Sequence, residues 1–282
     1  MPLPSGGGIF SSVSIAFFSE MWYNKQELCF CHFSGKGNAE MPRFFEDAFT
    51  PEHPVLTGAH VRHIGFSLRM RPAETLTVNA CGTDYLCEIE EITPDEIRLK
   101  VLSAEPCSSE PTMQVTLFQA LPKSDKLETI IQKSVELGVT EIVPVLTRRC
   151  IARMSAGDFQ KKLPRLQKIA QAAAQQSGRG LIPPVAPLHT FSQAAERMAS
   201  LDVPLVLYEN TRQGSISFSA VDPAAKRYGI FVGSEGGFDS EEIDELTEKG
   251  VQPVWLGSRI LRCETAPLTA LSVLMFRTGN LG

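Results

Sequence analysis

"QVTLFQALPKSDKLETIIQKSVELGVTEIVPVL", residues 114–146, decides the fold. Residues 114–121 and 141–146 are short apolar runs of the kind made by strands covered on both faces. Between them Leu127, Ile130, Ile131 and Val135 recur at helical spacing, Asp125-x-x-Glu128 has the form of a capping box, and Gly138 supplies a stop. Strand, helix and strand in about thirty residues is the length of a βαβ crossover, which requires parallel strands.

Toward the C-terminus the same alternation continues. A long helix fits residues 159–176, closed by Ser177-Gly178, with Pro164 admissible near its first turn or as a kink. Residues 203–208, 228–232 and 252–256 are further buried-strand runs, and helices fit 240–249 and 264–278. Residues 111–282 therefore read as one α/β domain.

Toward the N-terminus the period changes to two. Leu76/Val78, Tyr85/Cys87/Ile89 and Ile97/Leu99/Val101 alternate with other residues, and turn signals stand at Cys81-Gly82-Thr83-Asp84 and Thr93-Pro94-Asp95. This is a small β unit, and "AEPCSSEP", residues 104–111, is the expected boundary after it. Residues 1–40 match neither part. A glycine triplet, a serine-rich apolar stretch and "SGKGNAE" read as a poorly structured extension, or as a start-site artefact ahead of Met41.

The composition, 43% hydrophobic and 21% charged over 282 residues, is that of a globular chain with room for two units. No apolar run reaches the eighteen residues or so of a membrane span, and no basic segment precedes the apolar residues 9–18, so a cytoplasmic protein is expected. Seven scattered cysteines do not suggest a disulfide framework; Cys81, Cys87, Cys107, Cys150 and Cys263 are expected as buried free thiols. Cys29-Phe30-Cys31-His32 lacks a second pair to complete a zinc site, so no metal is expected. The net charge of −5 is unevenly spread: residues 121–180 hold 11 basic and 5 acidic side chains. Such a segment is either a solvated helix face or a surface that attracts phosphates.

Two stretches carry candidate chemistry. "FVGSEGGFDSEE", residues 231–242, leads from a strand to a helix that Asp239 or Ser240 can cap, at the carboxyl edge of a parallel sheet. It is neither a phosphate-binding Gly-Lys-Ser/Thr loop nor GxGxxG. Glu235 stands where a phosphate would want amide donors, and two anions at close range repel by about 1 kcal/mol even in water. A cationic ligand meets no such objection; a tight turn needing positive φ would explain the glycines equally well. "LGSRILRCETAPLTAL", residues 256–271, also starts at a strand end, turns at Gly257 and opens a helix; Arg259 and Arg262 stand three apart, and Arg262 could simply pair with Glu264. Two such loops at neighbouring strand ends make converging walls.

"GSEGGFDSEEI" followed by "LGSRILRCETA" closely resembles the paired signature of the bacterial 16S ribosomal RNA uracil-N3-methyltransferases, a family of the knotted SPOUT methyltransferase class. "MPRFF", "HIGFSLRMR", "LPKSDKLETIIQKSVELGVTEIVPVLTRRC" and "AQQSGRGLIP" resemble further family segments in the same order, so the resemblance spans about 240 residues from Met41. It implies a PUA-like β barrel over residues 41–110 that helps bind RNA. After it, a SPOUT methyltransferase domain over residues 111–282 has a parallel sheet and a C-terminal trefoil knot that holds S-adenosylmethionine. It also implies a homodimer acting on 16S ribosomal RNA in the small subunit.

Carried onto this chain, the cofactor residues are Leu207, Tyr208, Glu209, Gly233, Ser234, Glu235, Gly236, Leu256, Gly257, Ile260, Leu261, Arg262, Thr265 and Ala266. Arg43, Arg69, Lys123, Lys126, Lys133, Arg149 and Arg179, from family-like stretches, many of them in the basic segment, are the expected RNA contacts. Arg43, Arg149 and Glu235 are the candidate catalytic groups, and no general base is assigned. The chain departs from the family at Ser234, where proline is usual, and at Cys263, where threonine is usual; losing the proline's fixed φ implies a looser loop. In the barrel, Ser67-Leu68-Arg69 and Ala73-Glu74 replace the usual "VLR…GD" turn. Methylation of a ribose 2′-hydroxyl or another base, or a catalytically silent RNA-binding role, remain competing readings.

Overall fold

A computed structural model of the chain describes residues 41–208 and 216–282. The expectations for residues 1–40, for Cys29, Cys31 and His32, and for Glu209 lie outside the described residues.

The first sheet has five strands: β1 (Arg43–Phe45), β2 (Val55–Thr57), β3 (Thr75–Ala80), β4 (Thr83–Ile92) and β5 (Glu96–Pro106), in the order β1-β3-β4-β5-β2. Leu76, Val78, Cys87, Ile89, Ile97 and Leu99 point into one core with Phe44, Leu56, Val61 and Ile64, as the period of two requires. The β3–β4 hairpin turns on Cys81 (φ 48°) and Gly82 (φ 83°), two successive left-handed residues that match the twist of the flanking strands. That position leaves Cys81 exposed, against the expectation of a buried thiol, whereas Cys87, Cys107, Cys150 and Cys263 are buried. Sequence patterning missed β1 and β2, which are three residues long, and the segment between them and β3: α1 (Ala59–Arg62) running into a π-helical turn, His63–Ser67.

The second sheet has seven strands, all paired in parallel: β6 (Gln114–Ala120), β7 (Glu141–Leu146), β8 (His189–Thr190), β9 (Val203–Leu207), β10 (Ile216–Ser217), β11 (Arg227–Val232) and β12 (Gln252–Trp255). Their order is β10-β12-β9-β11-β6-β7-β8. On one face pack α2 (Lys126–Glu136), α3 (Ala156–Gln176) and α6 (Thr265–Arg277), meeting Val115, Leu117, Ile142, Leu205 and Ile230. On the other pack α4 (Phe191–Ala199) and α5 (Ser240–Glu248), meeting Phe118, Val143, Val206 and Phe231. Alternate residues of each strand thus enter opposite cores, which is why the strands read as continuous apolar runs.

Local details differ from the sequence pattern at several points. Asp125 precedes α2 but makes no side-chain cap, so the capping-box reading there does not hold. Helix α3 starts earlier than expected, at a Ser155 cap that accepts from the Asp158 amide, and this leaves Pro164 well inside the helix. The chain tolerates it because residues 160 and 164 are exposed and water can satisfy the carbonyl that loses its donor. Helix α4 was missed although Thr190 and Gln193 form a full capping box before it. The last strand, β12, lies between β9 and β10, an order that ordinary connection rules disfavour. Residues 209–215, between β9 and β10, lie outside the described residues.

Residues 41–282 form one compact unit, and residues 104–111, read as a boundary, supply Ser109 and Glu110 to its junction. Gly178 O accepts from Arg43 Nη1 and, at 2.6 Å, from Ser109 Oγ. Arg43 Nη2 also meets Asp84 at 2.6 Å. Arg179, 3% exposed, pairs with Glu110 at 2.8 Å and donates to the carbonyls of Val135 and Val139. Glu110 also accepts from the amides of Gly180 (2.7 Å) and Leu181 (3.0 Å). Gly180 admits no side chain, because a Cβ there would stand 2.5 Å from Cβ of Cys107. Burial works to raise the Glu110 carboxyl, but the Arg179 guanidinium and the two amides outweigh it and hold it below its ordinary value of 4.5.

Removing one partner of such a buried pair strands the other. Arg179→Ala is expected to cost about 3 kcal/mol of unfolding free energy in urea titration, and a loss below about 1 kcal/mol would refute the assignment. The folded value of Glu110 lies below the unfolded one, so its contribution is complete above pH 4.5 and is lost as pH falls through the folded value. Glu110→Gln should remove that acid-side loss.

Candidate functional site

Three strand ends, those of β9, β11 and β12, converge on one cleft with about 600 Å³ of empty space. β9 contributes Leu207 and the adjoining Tyr208, β11 contributes Val232 and the glycine loop, and β12 leads into residues 256–266. This is the carboxyl edge of the sheet, where open α/β folds bind ligands.

The glycine loop is shaped by contacts that only glycine permits. Gly237 N donates to Ser234 O at 2.9 Å, closing a tight turn, and Gly237 has φ 66°, which releases the chain toward α5. A Cβ on Gly236 would stand 2.9 Å from the Arg149 carbonyl oxygen, and one on Gly233 would stand 3.1 Å from Gly237. Ser234 is buried, and its hydroxyl donates to the Arg149 carbonyl at 3.2 Å. The residue that departs from the family pattern therefore tethers the loop through its side chain, a constraint that the sequence reading of a looser loop did not foresee. Asp239 caps α5 with Glu242 in a capping box, and Glu242 Oε1 reaches the Arg148 amide at 2.8 Å, so the turn after β7 is fixed to the same helix end.

One lysine links the loops. Lys126 Nζ lies 3.0 Å from Glu235 Oε1, 3.1 Å from Glu264 Oε2 and 3.8 Å from Cys263 Sγ. Glu235 also accepts from the Lys123 amide at 3.1 and 3.3 Å. The segments after β6, β11 and β12 are thereby joined, and Glu264 pairs with Lys126 rather than with Arg262. Hydrogen bonds that it donates to Glu235 and Glu264 push the Lys126 ammonium well up. Desolvation works to raise both carboxyls, but bonds from their own amides and from Lys126 bring each below its ordinary value. Burial, with help from Glu264, pushes the Cys263 thiol up to about 12. Both carboxylates stay charged and the thiol stays protonated at neutral pH. Against two negative charges there is one positive one, so the cluster behind the cleft carries a net −1, while Arg259 in the lining adds a positive charge on the cleft side.

Of the residues expected to hold a cofactor, Leu207, Tyr208, Gly233, Ser234, Leu256, Gly257, Ile260, Leu261 and Ala266 line the cleft. Glu235, Gly236, Arg262 and Thr265 do not; they shape it from behind, Glu235 through Lys126, Gly236 against Arg149, and Arg262 by accepting from the amides of Thr265 and Ala266. The lining residues that lie outside the expected loops are Val232, Phe238, Val254 and Trp255, while Arg259 and Cys263 fall within the expected stretch 256–266. Phe238 packs edge-on against Phe231 at 4.9 Å, and Arg259 forms no ion pair among the described residues.

The expected RNA contacts divide. Arg43 and Arg179 are engaged in the junction by Asp84, Gly178 and Glu110, and among the described residues Arg43 makes no bond to a residue of the cleft. Lys126 is held between two carboxylates. Lys133 is paired with Glu136 at 2.8 Å but half exposed, and Arg149, 50% exposed, meets Asp239 at 3.3 Å. Lys123 and Arg69 are exposed. Glu235 has its oxygens occupied by Lys126 and the Lys123 amide, which suits it to organising the loop rather than to taking a proton. Among the described residues no cluster of three or more His, Cys, Asp or Glu could hold a metal, and no helix is long and apolar enough to cross a membrane.

Comparison with known proteins bears on this arrangement. Residues 108–275 match the model of the RNA methyltransferase domain family. The ribosomal RNA small subunit methyltransferase E of Bacillus subtilis is 37% identical over 229 residues, covering 79% of this chain and 90% of the relative. The crystal structure of a ribosomal RNA small subunit methyltransferase E from Neisseria gonorrhoeae, bound to S-adenosyl methionine, superposes with a TM-score of 0.73 at 33% identity, covering 84% of this chain and 97% of the other. A structure from Legionella pneumophila in complex with the cofactor SAM gives 0.72 at 29% identity, covering 84% and 98%. With the family model matched over more than half its length and its cleft at the sheet edge, the chain belongs to the RNA methyltransferase family that includes the ribosomal RNA small subunit methyltransferases E.

Proposed function

We propose that this chain, as a homodimer, transfers a methyl group from S-adenosylmethionine to N3 of a uridine in the 16S ribosomal RNA of the small subunit. The observation that carries the reading is the cleft between residues 233–237 and 256–266 at the carboxyl edge of the parallel sheet. Leu207, Val232, Leu256, Leu261 and Ala266 offer apolar walls to a nucleoside. When bound, S-adenosylmethionine supplies an electrophilic methyl group.

The chain's own residues do the rest. N3 of a uracil must give up its proton, to solvent water, to become nucleophilic, and Arg259, which lines the cleft without an ion-pair partner among the described residues, is suited to stabilising the resulting anion. Cys263, with its thiol up at about 12, is no base, and the described lining holds no carboxylate or imidazole. Lowering the cost of the uracil anion, rather than a strong protein base, is the contribution these residues make. Exposed Lys123, Arg69 and Arg149 are suited to holding phosphates, and their contribution should weaken with salt. The dimer reading rests on apolar side chains left in water: Phe276 on α6 is 70% exposed and Ile260, just before it, 85%.

Full-length protein incubated with S-adenosylmethionine and small ribosomal subunits should yield N3-methyluridine in nucleoside mass spectrometry. A 2′-O-methylated nucleoside instead would replace the base-methylation reading. Gly236→Ala, which forces a methyl group against the Arg149 carbonyl, should weaken S-adenosylmethionine binding in calorimetry by tenfold or more, about 1.4 kcal/mol. Unchanged affinity would mean that the loop is not part of the cofactor site. Phe276→Glu should shift the molar mass in light scattering from dimer to monomer, and a monomeric wild type would end the dimer reading.

A further inference from the structure

The first sheet carries a second feature that the methyl-transfer site does not use. Phe66 is 78% exposed, a large aromatic ring held in water by the π-helical turn His63–Ser67. The turn is closed by Leu68 N donating to His63 O at 2.9 Å, and Met70 N returns to Ile64 O at 3.0 Å. The wider turn keeps Ile64 in the core while Phe66 points outward; such turns are uncommon and concentrate at functional sites. Phe66 flanks a groove with about 1230 Å³ of empty space, lined also by Val61, Arg62, Ile92 and Pro94.

The charge around the groove selects its occupant. Residues 62–73 contain Arg62, Arg69 and Arg71 and no acidic residue. All three arginines are exposed, and none forms an ion pair among the described residues. The acidic neighbours Glu91 and Glu96 are met by Arg98, at 3.5 and 2.8 Å. An exposed aromatic ring among unpaired arginines is the pattern of a single-stranded nucleic-acid contact, in which a base stacks on the ring and phosphates meet the guanidinium groups.

We propose that Phe66 is a stacking platform for an unpaired base of the RNA substrate, with Arg62 and Arg69 holding the flanking phosphates. The proposal rests on the RNA-methylation reading and adds to it a substrate contact away from the cofactor cleft.

Methylation of small subunits by the full chain tests it, together with binding of 16S RNA over a range of salt. Phe66→Ala should raise KM for the subunit about tenfold with kcat and calorimetric S-adenosylmethionine affinity held. It should leave the slope of log affinity against log salt unchanged, because stacking releases no counterions, whereas Arg62→Gln should reduce that slope by about one. Phe66→Tyr should restore KM and Phe66→Leu should not. Wild-type KM in Phe66→Ala overturns the proposal while leaving methylation standing. Rescue by leucine as good as by tyrosine also overturns it, because the groove would then hold an apolar protein segment. A wild type that neither binds nor methylates RNA removes the underlying reading and this one together. Because Phe66 is exposed, the urea midpoint of each variant should match the wild type.

Discussion

The ammonium of Lys126, placed between Glu235 and Glu264, is the interaction on which the site depends. It comes from the start of α2, whereas its two partners come from the loops after β11 and β12. Without it, two carboxylates would face one another across a narrow gap and the loops would be pushed apart. With it, they close around a cleft and retain one net negative charge. The same cation works against the protonated thiol of Cys263; burial and the neighbouring carboxylates outweigh it there.

This clamp works because the sheet order delivers its parts to one edge. β6 lies directly beside β11, β11 beside β9, and β9 beside β12, so loops far apart in sequence emerge as neighbours. Glycine then sets the spacing: Gly236 permits an approach to the Arg149 carbonyl that a side chain would block, and a Cβ on Gly233 would crowd the Gly237 backbone at 3.1 Å. Ser234 adds a hydrogen bond to the same Arg149 carbonyl. Loop shape, cleft width and local charge follow from these few contacts.

The basic segment shows how charge in a sequence differs from charge on a surface. Arg179 is buried at the junction with Glu110, and Lys126 is inside the clamp, so both are structural. The positive groups left for RNA are fewer and more spread out. They include Arg62 at the end of α1 and Arg71 before β3, outside that segment and near in sequence to the exposed ring of Phe66. Composition had pointed to one patch; the folded chain distributes the positive charge over both sheets.

The alternation of apolar runs was enough to read the parallel sheet, because strands buried on both faces leave no polar positions, and the period of two was enough for β3, β4 and β5. The glycine loop and the 256–266 turn were legible as a pair because their residue types are constrained by backbone geometry. β1, β2, β8 and β10, at two or three residues each, are too short for any period to show, and Asp125 has the right residue type for a cap but not the geometry. What only the tertiary structure decided is which charges meet. Glu264 pairs with Lys126, 138 positions away, and not with Arg262 two positions away, and Glu235 faces a lysine and an amide rather than a substrate. Periodicity records the face a residue occupies within its own element. Electrostatic partnership depends on distances between elements, and these are set by sheet order.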